Sequence, residues 1–273
     1  MKIQLILALA LATFDMRAAT GDAFERLLFP LVVEDHPGAY GTVWTTEATV
    51  RNESDAPLEI FTSECLFRCP FAECIVTICL PFQATPPHGR FTESLLGRGE
   101  IGSVSNPATL LYVPATASAN VVASLRLIEE TRRANDFGIE IPVVRESGLF
   151  TTVLWLPDVP MPAGSRTHLR IYGVESPDGG ARLRVRAYPG EQSSATLDVI
   201  VDLSSSNVPP TPGPGDYRPM QPSYLLMILP PELTTNALPL RVRIDPVTPG
   251  LKFWAMASVT SNDTQHVTLV TPQ

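Results

Sequence analysis

The feature that most constrains this chain is the strict alternation along Ala181-Arg182-Leu183-Arg184-Val185-Arg186-Ala187-Tyr188. Side chains two residues apart share a face in a strand, so a half-buried strand puts the arginines in water and Ala181, Leu183, Val185 and Ala187 in a core. Thr167-His168-Leu169-Arg170-Ile171-Tyr172 repeats the pattern. Pro177-Asp178-Gly179-Gly180 lies between the two and is a strong turn signal, so 167–188 is predicted to be a β-hairpin. Strands are also expected at Leu27–Glu34, Val43–Arg51, Leu58–Cys65, Cys74–Leu80, Leu110–Val113, Val121–Glu129 and Gly138–Val144. The last part of the chain adds Leu197–Leu203, Tyr224–Leu229, Leu240–Ile244, Phe253–Thr260 and His266–Thr271, with a turn at Asn262-Asp263. No segment sustains a helical 3.6-residue period, and 27 prolines suit short strands and many turns. The expected class is all-β.

An internal repeat suggests two units. Phe29-Pro30-Leu31-Val32-Val33-Glu34 matches Ile141-Pro142-Val143-Val144-Arg145-Glu146, and Val43-Trp44-Thr45-Thr46 matches Leu149-Phe150-Thr151-Thr152. Both halves end on a strand, a polar turn and a strand, at Leu125–Val144 and Phe253–Val270. An offset of roughly 110 residues is the size of one sandwich. The expected architecture is two tandem antiparallel, immunoglobulin-like β-sandwiches, 24–145 and 146–273, with the boundary near Glu146. The proline-rich stretch 204–222 resembles a linker, but the fifty or so residues after it are too few to bury a core alone. It is read as a long loop within the second unit.

The N-terminus points to export. Lys2, the apolar run Ile3–Phe14 and the small residues Ala18-Ala19 or Gly21-Asp22-Ala23 have the layout of a cleaved signal peptide, placed at 1–23. The run is too short to span a bilayer, and no later one is long enough. A secreted or periplasmic site is therefore expected. Cys65, Cys69, Cys74 and Cys79 are an even, closely spaced set, which in an exported chain favours disulfides, with zinc as the rival reading. Cys74–Cys79 reads as a strand whose ends lie about 16 Å apart, too far to bridge. A nested hairpin, Cys69–Cys74 inside Cys65–Cys79, fits best.

Sequence motifs for chemistry are missing. A net charge of −8 makes nucleic acid a poor partner. His36, His88, His168 and His266 have no metal-ligand spacing, and no nucleophile-elbow, zinc-protease or phosphate-loop motif occurs. No catalytic residue, metal or cofactor is assigned. Glu34-Asp35 beside His36 is a polar loop before it is a cation site, and Glu140, Asp198 and Asp202 read as solvated strand faces. Trp44, Trp155 and Trp254 sit among apolar neighbours, which favours core packing over a sugar platform. One feature stands out: in a 167–188 hairpin, Arg170, Arg182, Arg184 and Arg186 share a surface with His168 and Tyr172, and Arg241 and Arg243 extend it. Such a face suits carboxylates or phosphates. The bland alternative is neutralisation by acids such as Asp198 and Asp202 on neighbouring strands.

Phe29-Pro30-Leu31-Val32-Val33, Pro37-Gly38-Ala39-Tyr40-Gly41-Thr42-Val43-Trp44-Thr45-Thr46-Glu47 and Trp254-Ala255-Met256-Ala257-Ser258-Val259-Thr260-Ser261-Asn262-Asp263-Thr264-Gln265 resemble a group of uncharacterised exported tandem β-sandwich proteins of environmental bacteria. The resemblance implies export and β-architecture and carries no activity. The expected role is a non-enzymatic exported protein acting by surface contacts or as an envelope component, its partner an anionic polysaccharide or another envelope protein. The rivals are a carbohydrate-binding module, which needs a row of exposed aromatics, and a secreted hydrolase, which needs a cleft with two carboxylates or a histidine-based triad.

Overall fold

The computed structural model describes residues 24–62, 83–93, 108–132, 137–177, 180–203, 222–234 and 238–273. The signal segment 1–23, all four cysteines with their expected disulfides, the stretch 204–221 and the Asp178-Gly179 pair lie outside the described residues. The described chain is all-β, and its helical segments are single 3-10 turns. The first half carries β1 (Phe24–Phe29), β2 (His36–Pro37), β3 (Val43–Asn52), β4 (Leu58–Thr62), β5 (Gln83–Thr85), β6 (Arg90–Glu93), β7 (Thr109–Pro114), β8 (Val121–Glu129), β9 (Ile139–Ile141) and β10 (Val144–Arg145). The second carries β11 (Leu154–Val159), β12 (Ser165–Glu175), β13 (Arg182–Pro189), β14 (Leu197–Asp202), β15 (Ser223–Leu229), β16 (Leu240–Pro246), β17 (Lys252–Ser261) and β18 (Val267–Val270).

These strands form four open antiparallel sheets. Sheet one runs β10-β1-β7-β4-β5. Sheet two runs β3-β8-β9, with β2 and β6 placed along successive stretches of the free side of β3. Sheet three runs β11-β16-β13-β14, and sheet four β15-β12-β17-β18. With β2 and β10 set aside, the eight remaining strands of the first half take the same places as the eight of the second. Numbered along the chain within each half, both give the orders 1-6-3-4 and 5-2-7-8. The strand–turn–strand endings noted in the sequence hold as the pairs β8–β9 and β17–β18. The matched motifs do not: Phe29–Glu34 closes β1 and runs on outside any strand, whereas Ile141–Glu146 closes β9 and forms β10. Equivalent strands such as β1 and β11, or β7 and β16, lie about 130 residues apart. The order also departs from the immunoglobulin arrangement, in which the first strand pairs with the second; here it pairs with the sixth.

The 167–188 hairpin does not form. β12 pairs with β15 and β17, and β13 with β14 and β16, so the two strands lie in different sheets. Alternation correctly marks which residues face inward but says nothing about partners. Leu169 and Ile171 meet Leu183, Val185 and Ala187 across the core instead of beside them. The chain between Glu175 and Arg182 passes from one sheet to the other, with the Ser176 hydroxyl donating to the carbonyl of Gly180. His168, Arg170 and Tyr172 consequently lie on one outer face, and Arg182, Arg184 and Arg186 on the opposite one.

Two apolar clusters hold the sheets. The first joins Leu27, Phe29, Leu110 and Leu111 of sheet one to Val50, Leu125 and Ile141 of sheet two. The second joins Leu154, Leu183, Val185 and Ile244 of sheet three to Leu169, Ile171, Phe253 and Ala255 of sheet four. The first cluster also takes in Tyr172, Val174, Trp254 and Met256 from the outer face of sheet four. Alternating burial along β12 therefore stops at Ile171, and every residue from Ile171 to Glu175 is buried. Trp254 is buried as expected, Trp44 packs at the first core, and Trp155 lies against Tyr188 with ring centroids 5.9 Å apart. The three tryptophans occupy three different places and make no row.

Charges close the junction beside this contact. Arg26 of β1 donates through Nε to Glu146 Oε2 at 2.8 Å and through Nη2 to Glu175 Oε2 at 2.6 Å, and its Nη2 also reaches Glu146 Oε1. Lys252 Nζ lies 3.1 Å from Glu146 and 3.3 Å from Glu175. Arg26 is 11% exposed and Glu175 7%, so their charges are strongly coupled. Burial alone would raise the Glu146 carboxyl. The hydrogen bonds and charges of Arg26 and Lys252 outweigh it and lower the pKa from 4.5 to about 2.

Arg26→Ala should cost about 3 kcal/mol or more, because it leaves the buried Glu175 and the half-buried Glu146 sharing one lysine. A carboxyl depressed on folding gives stability that is complete above its unfolded pKa and is lost as pH falls through the folded one. Urea unfolding of the wild type should therefore show stability declining from pH 4.5 towards pH 2, and Glu146→Gln should flatten that decline. An unchanged slope in the variant would contradict the assignment.

Candidate functional site

The outer face of sheet three shows what most of the predicted arginines do. β13 presents Arg182, Arg184 and Arg186 outward, and β14 and β16 flank it. Arg184 clasps Asp198 with Nε and Nη2 at 2.7 and 2.6 Å. Arg186 donates to Asp245 Oδ2 at 2.7 Å, while Arg243 grips Oδ1 of the same carboxylate at 2.9 and 2.7 Å. Burial would raise the Asp245 carboxyl, yet these two arginines hold it below the usual range. Arg241 donates to the carbonyls of Gly190 and Gln192 and lies over Tyr188, as Arg243 lies over Trp155. The guanidinia of Arg184, Arg186, Arg241 and Arg243 are thus engaged within the sheet, Arg186 Nε alone of their atoms being buried without a hydrogen-bond partner, and Arg182 is exposed at its end. This is the bland outcome, cross-strand neutralisation, realised mainly by Asp198 and by an acid the sequence reading left out, Asp245.

The outer face of sheet four is different. Its register places Tyr224, Tyr172 and Trp254 in one row across β15, β12 and β17. Leu226, Arg170 and Met256 form the next row, and Ile228, His168 and Ser258 the third. Residues directly opposite in an antiparallel pair share a face, so all nine side chains project from one side. The β17 end of this surface lies beneath the first apolar cluster, while Leu226 and Ile228 at the β15 end are 43% and 66% exposed. Arg170 stands between covered and open halves.

Arg170 Nη1 donates to the Tyr224 hydroxyl at 2.7 Å. Among the described residues no carboxylate lies within ion-pair distance of it, nor of Arg166, whose Nη2 reaches only Gln265 Oε1 at 3.3 Å. Arg170 Nε, Tyr172 OH and Ser258 Oγ are buried without a hydrogen-bond partner. Buried polar atoms are nearly always satisfied, so three orphans converging on one face mark a place where polar partners are missing. Burial, then the charges of Arg170 and Arg166, lower the pKa of His168 and keep its ring neutral near pH 7. Burial raises the Tyr224 phenol against the opposing pull of Arg170, and raises that of Tyr172 further. The face therefore offers the guanidinia of Arg170 and, at its end, Arg166, with neutral hydroxyls and an apolar margin: a donor set for an anion.

The structure separates the six predicted binding residues into His168, Arg170 and Tyr172 here and Arg182, Arg184 and Arg186 opposite. Sequence reasoning missed Tyr224, Leu226, Ile228 and Ser258 as site residues. In Tyr224–Leu229 both faces are apolar, so period-two patterning cannot say which residues face out. Ser258 is marked only by its register with His168. Elsewhere, a shallow depression of about 540 Å³ on sheet two is lined by Thr49, Arg51, His88, Gly89, Arg90, Val122 and Ser124. Arg51 pairs with Glu53 at 3.4 Å and the His88 ring hydrogen-bonds Asp55 at 2.9 Å, all solvent-exposed, so both side chains already have partners in contact with water. Among the described residues no group of three histidine or acidic side chains has metal-binding geometry.

The His168 ring should titrate below its ordinary 6.5 in an NMR pH series. Arg170→Gln should move the midpoint upward, without restoring it fully because burial remains. A midpoint at or above 6.5 in the wild type would contradict the electrostatics of this face. No protein-family model, curated protein or solved structure matches this chain.

Proposed function

We propose that this chain is an exported, non-enzymatic protein of two tandem β-sandwich domains that acts by surface binding, and that the outer face of sheet four around Arg170 is the binding surface. The repeated strand order and the two apolar clusters support the tandem reading, and the N-terminal segment supports export. The observation that carries the binding reading is Arg170 itself: a partly buried guanidinium with an orphaned Nε and, among the described residues, no carboxylate partner. An unmatched charge in such a place is costly, and a bound carboxylate or phosphate restores the missing hydrogen bonds at about 1.5–3 kcal/mol each. The half-buried Tyr224 hydroxyl supplies a neutral donor beside it, and His168 in its uncharged form adds no repulsion for an apolar neighbour. Arg182, Arg184 and Arg186 drop out of the anion site because Asp198 and Asp245 occupy two of them and the opposite face holds all three.

A hydrolase reading gains nothing from the His168–Ser258 juxtaposition. Ser258 Oγ accepts and donates no hydrogen bond, so the ring is not positioned to take its proton.

Titrating the purified mature protein with polygalacturonate, a carboxylate polymer, at low and high salt tests the proposal. Wild-type affinity should fall with salt, Arg170→Gln should lose about tenfold or more, and the Arg184→Ala, Arg186→Ala double variant should bind as wild type. Equal binding by wild type and Arg170→Gln, or binding lost only in the double variant, would overturn it.

A further inference from the structure

The edges of the second half are unequal. β11 is interrupted by Pro157 and by a register shift where Asp158 takes a positive φ of 47°. β14 presents Asp198 and Asp202 outward, and β18 is only four residues long. Each is a known way of stopping other strands from pairing with a sheet edge. β15 has none of them. Its seven residues, Ser223-Tyr224-Leu225-Leu226-Met227-Ile228-Leu229, carry no charge and no proline, and pair with β12 in unbroken register. Among the described residues no strand pairs with the other side of residues 224–229. At the equivalent position of the first half, β6 begins with Arg90 and ends with Glu93, and β2 contains Pro37. Among the described residues, one topological position is thus guarded in one half and left without a paired strand along residues 224–229 in the other.

We propose that β15 is a docking edge that receives an extended strand from a partner polypeptide, and that this strand carries an acidic side chain for Arg170. The inference rests on the anion-binding reading above and names the partner's class. Backbone hydrogen bonds to the open edge supply the affinity of strand addition, and alternate side chains supply its specificity. Apolar residues of the incoming strand cover Leu226 and Ile228. Arg170 leans across β15 to the Tyr224 hydroxyl, so its guanidinium is directed toward that edge. The added strand lies two spacings of about 4.8 Å from β12, a gap that an arginine and a glutamate extended toward each other across β15 can span. A second copy of this chain pairing β15 with β15 fits worse, because it leaves both Arg170 groups without a carboxylate.

The test uses a short labelled peptide of alternating valine and threonine with one central glutamate, its lysine counterpart, and polygalacturonate. The glutamate peptide should bind the mature protein at least tenfold more tightly than the lysine peptide, and Arg170→Gln should abolish that difference. Amides within 224–229 should exchange more slowly in the complex, and Ile228→Lys, a substitution at an exposed position, should weaken binding while the fold is kept. Binding without β15 protection, or with no preference for glutamate, overturns the proposal. So does a dimer in sedimentation that Ile228→Lys dissociates. Polygalacturonate binding that depends on Arg170, with no peptide binding, would overturn strand addition and leave the anion site standing. Failure of both probes would remove both.

Discussion

Burial of one sheet on both of its faces is the constraint on which the rest of this molecule depends. A sheet in a sandwich normally turns one face to solvent, and β12 begins that way. From Tyr172 onward it does not, because Tyr172, Val174, Trp254 and Met256 are packed into the core of the preceding half. This apolar seam orients the two halves, and the Arg26, Glu146, Glu175 and Lys252 cluster fixes the position beside it. Removing water from such a cluster is costly, so ion pairs there add specificity of placement more readily than net stability. The seam also creates the candidate site. It covers one half of the sheet-four face, leaves the other open, and strands Arg170, Tyr172 and Ser258 at the line between them.

The shared strand order shows how far two halves can diverge around one scaffold. Both place their strands as 1-6-3-4 and 5-2-7-8, which leaves the fifth strand at the edge of its sheet in each case. In the first half that edge is short and charged. In the second it is long, apolar and beside the unmatched arginine. An order that is repeated while its edge chemistry is not points to a difference in task at that edge. The opposite outer face follows the ordinary solution, in which Asp198 and Asp245 neutralise their arginines across neighbouring strands.

Much of the fold is legible in the sequence because side-chain alternation is local. Arg182, Arg184 and Arg186 are outward and Leu183, Val185 and Ala187 inward, as the pattern requires. The final hairpin is equally readable, since the Asn262-Asp263 turn joins strands that do pair. Partner choice is not local. The Pro177–Gly180 segment has turn chemistry whether it makes a hairpin or an arch between sheets, and only the packing of distant strands decides. The true repeat is hidden for a similar reason: strands equivalent in topology share no residue motif, whereas Phe29–Glu34 and Ile141–Glu146 share a motif at non-equivalent places. The site is the least legible part. Arg170 and Arg184 occupy the same kind of position in alternating strands, and what separates them, among the described residues, is a carboxylate on a neighbouring strand in one sheet and none in the other.

The central claim is that Arg170 is held open for an anionic group of a partner. Its side-chain Nε–H resonance, assigned through Arg170→Lys, reports this directly. On saturation with a carboxylate-bearing partner the proton should move downfield and exchange more slowly with solvent, while the resonances of Arg184 and Arg186 stay in place. A partner that binds while the Arg170 resonance is unmoved would contradict the account.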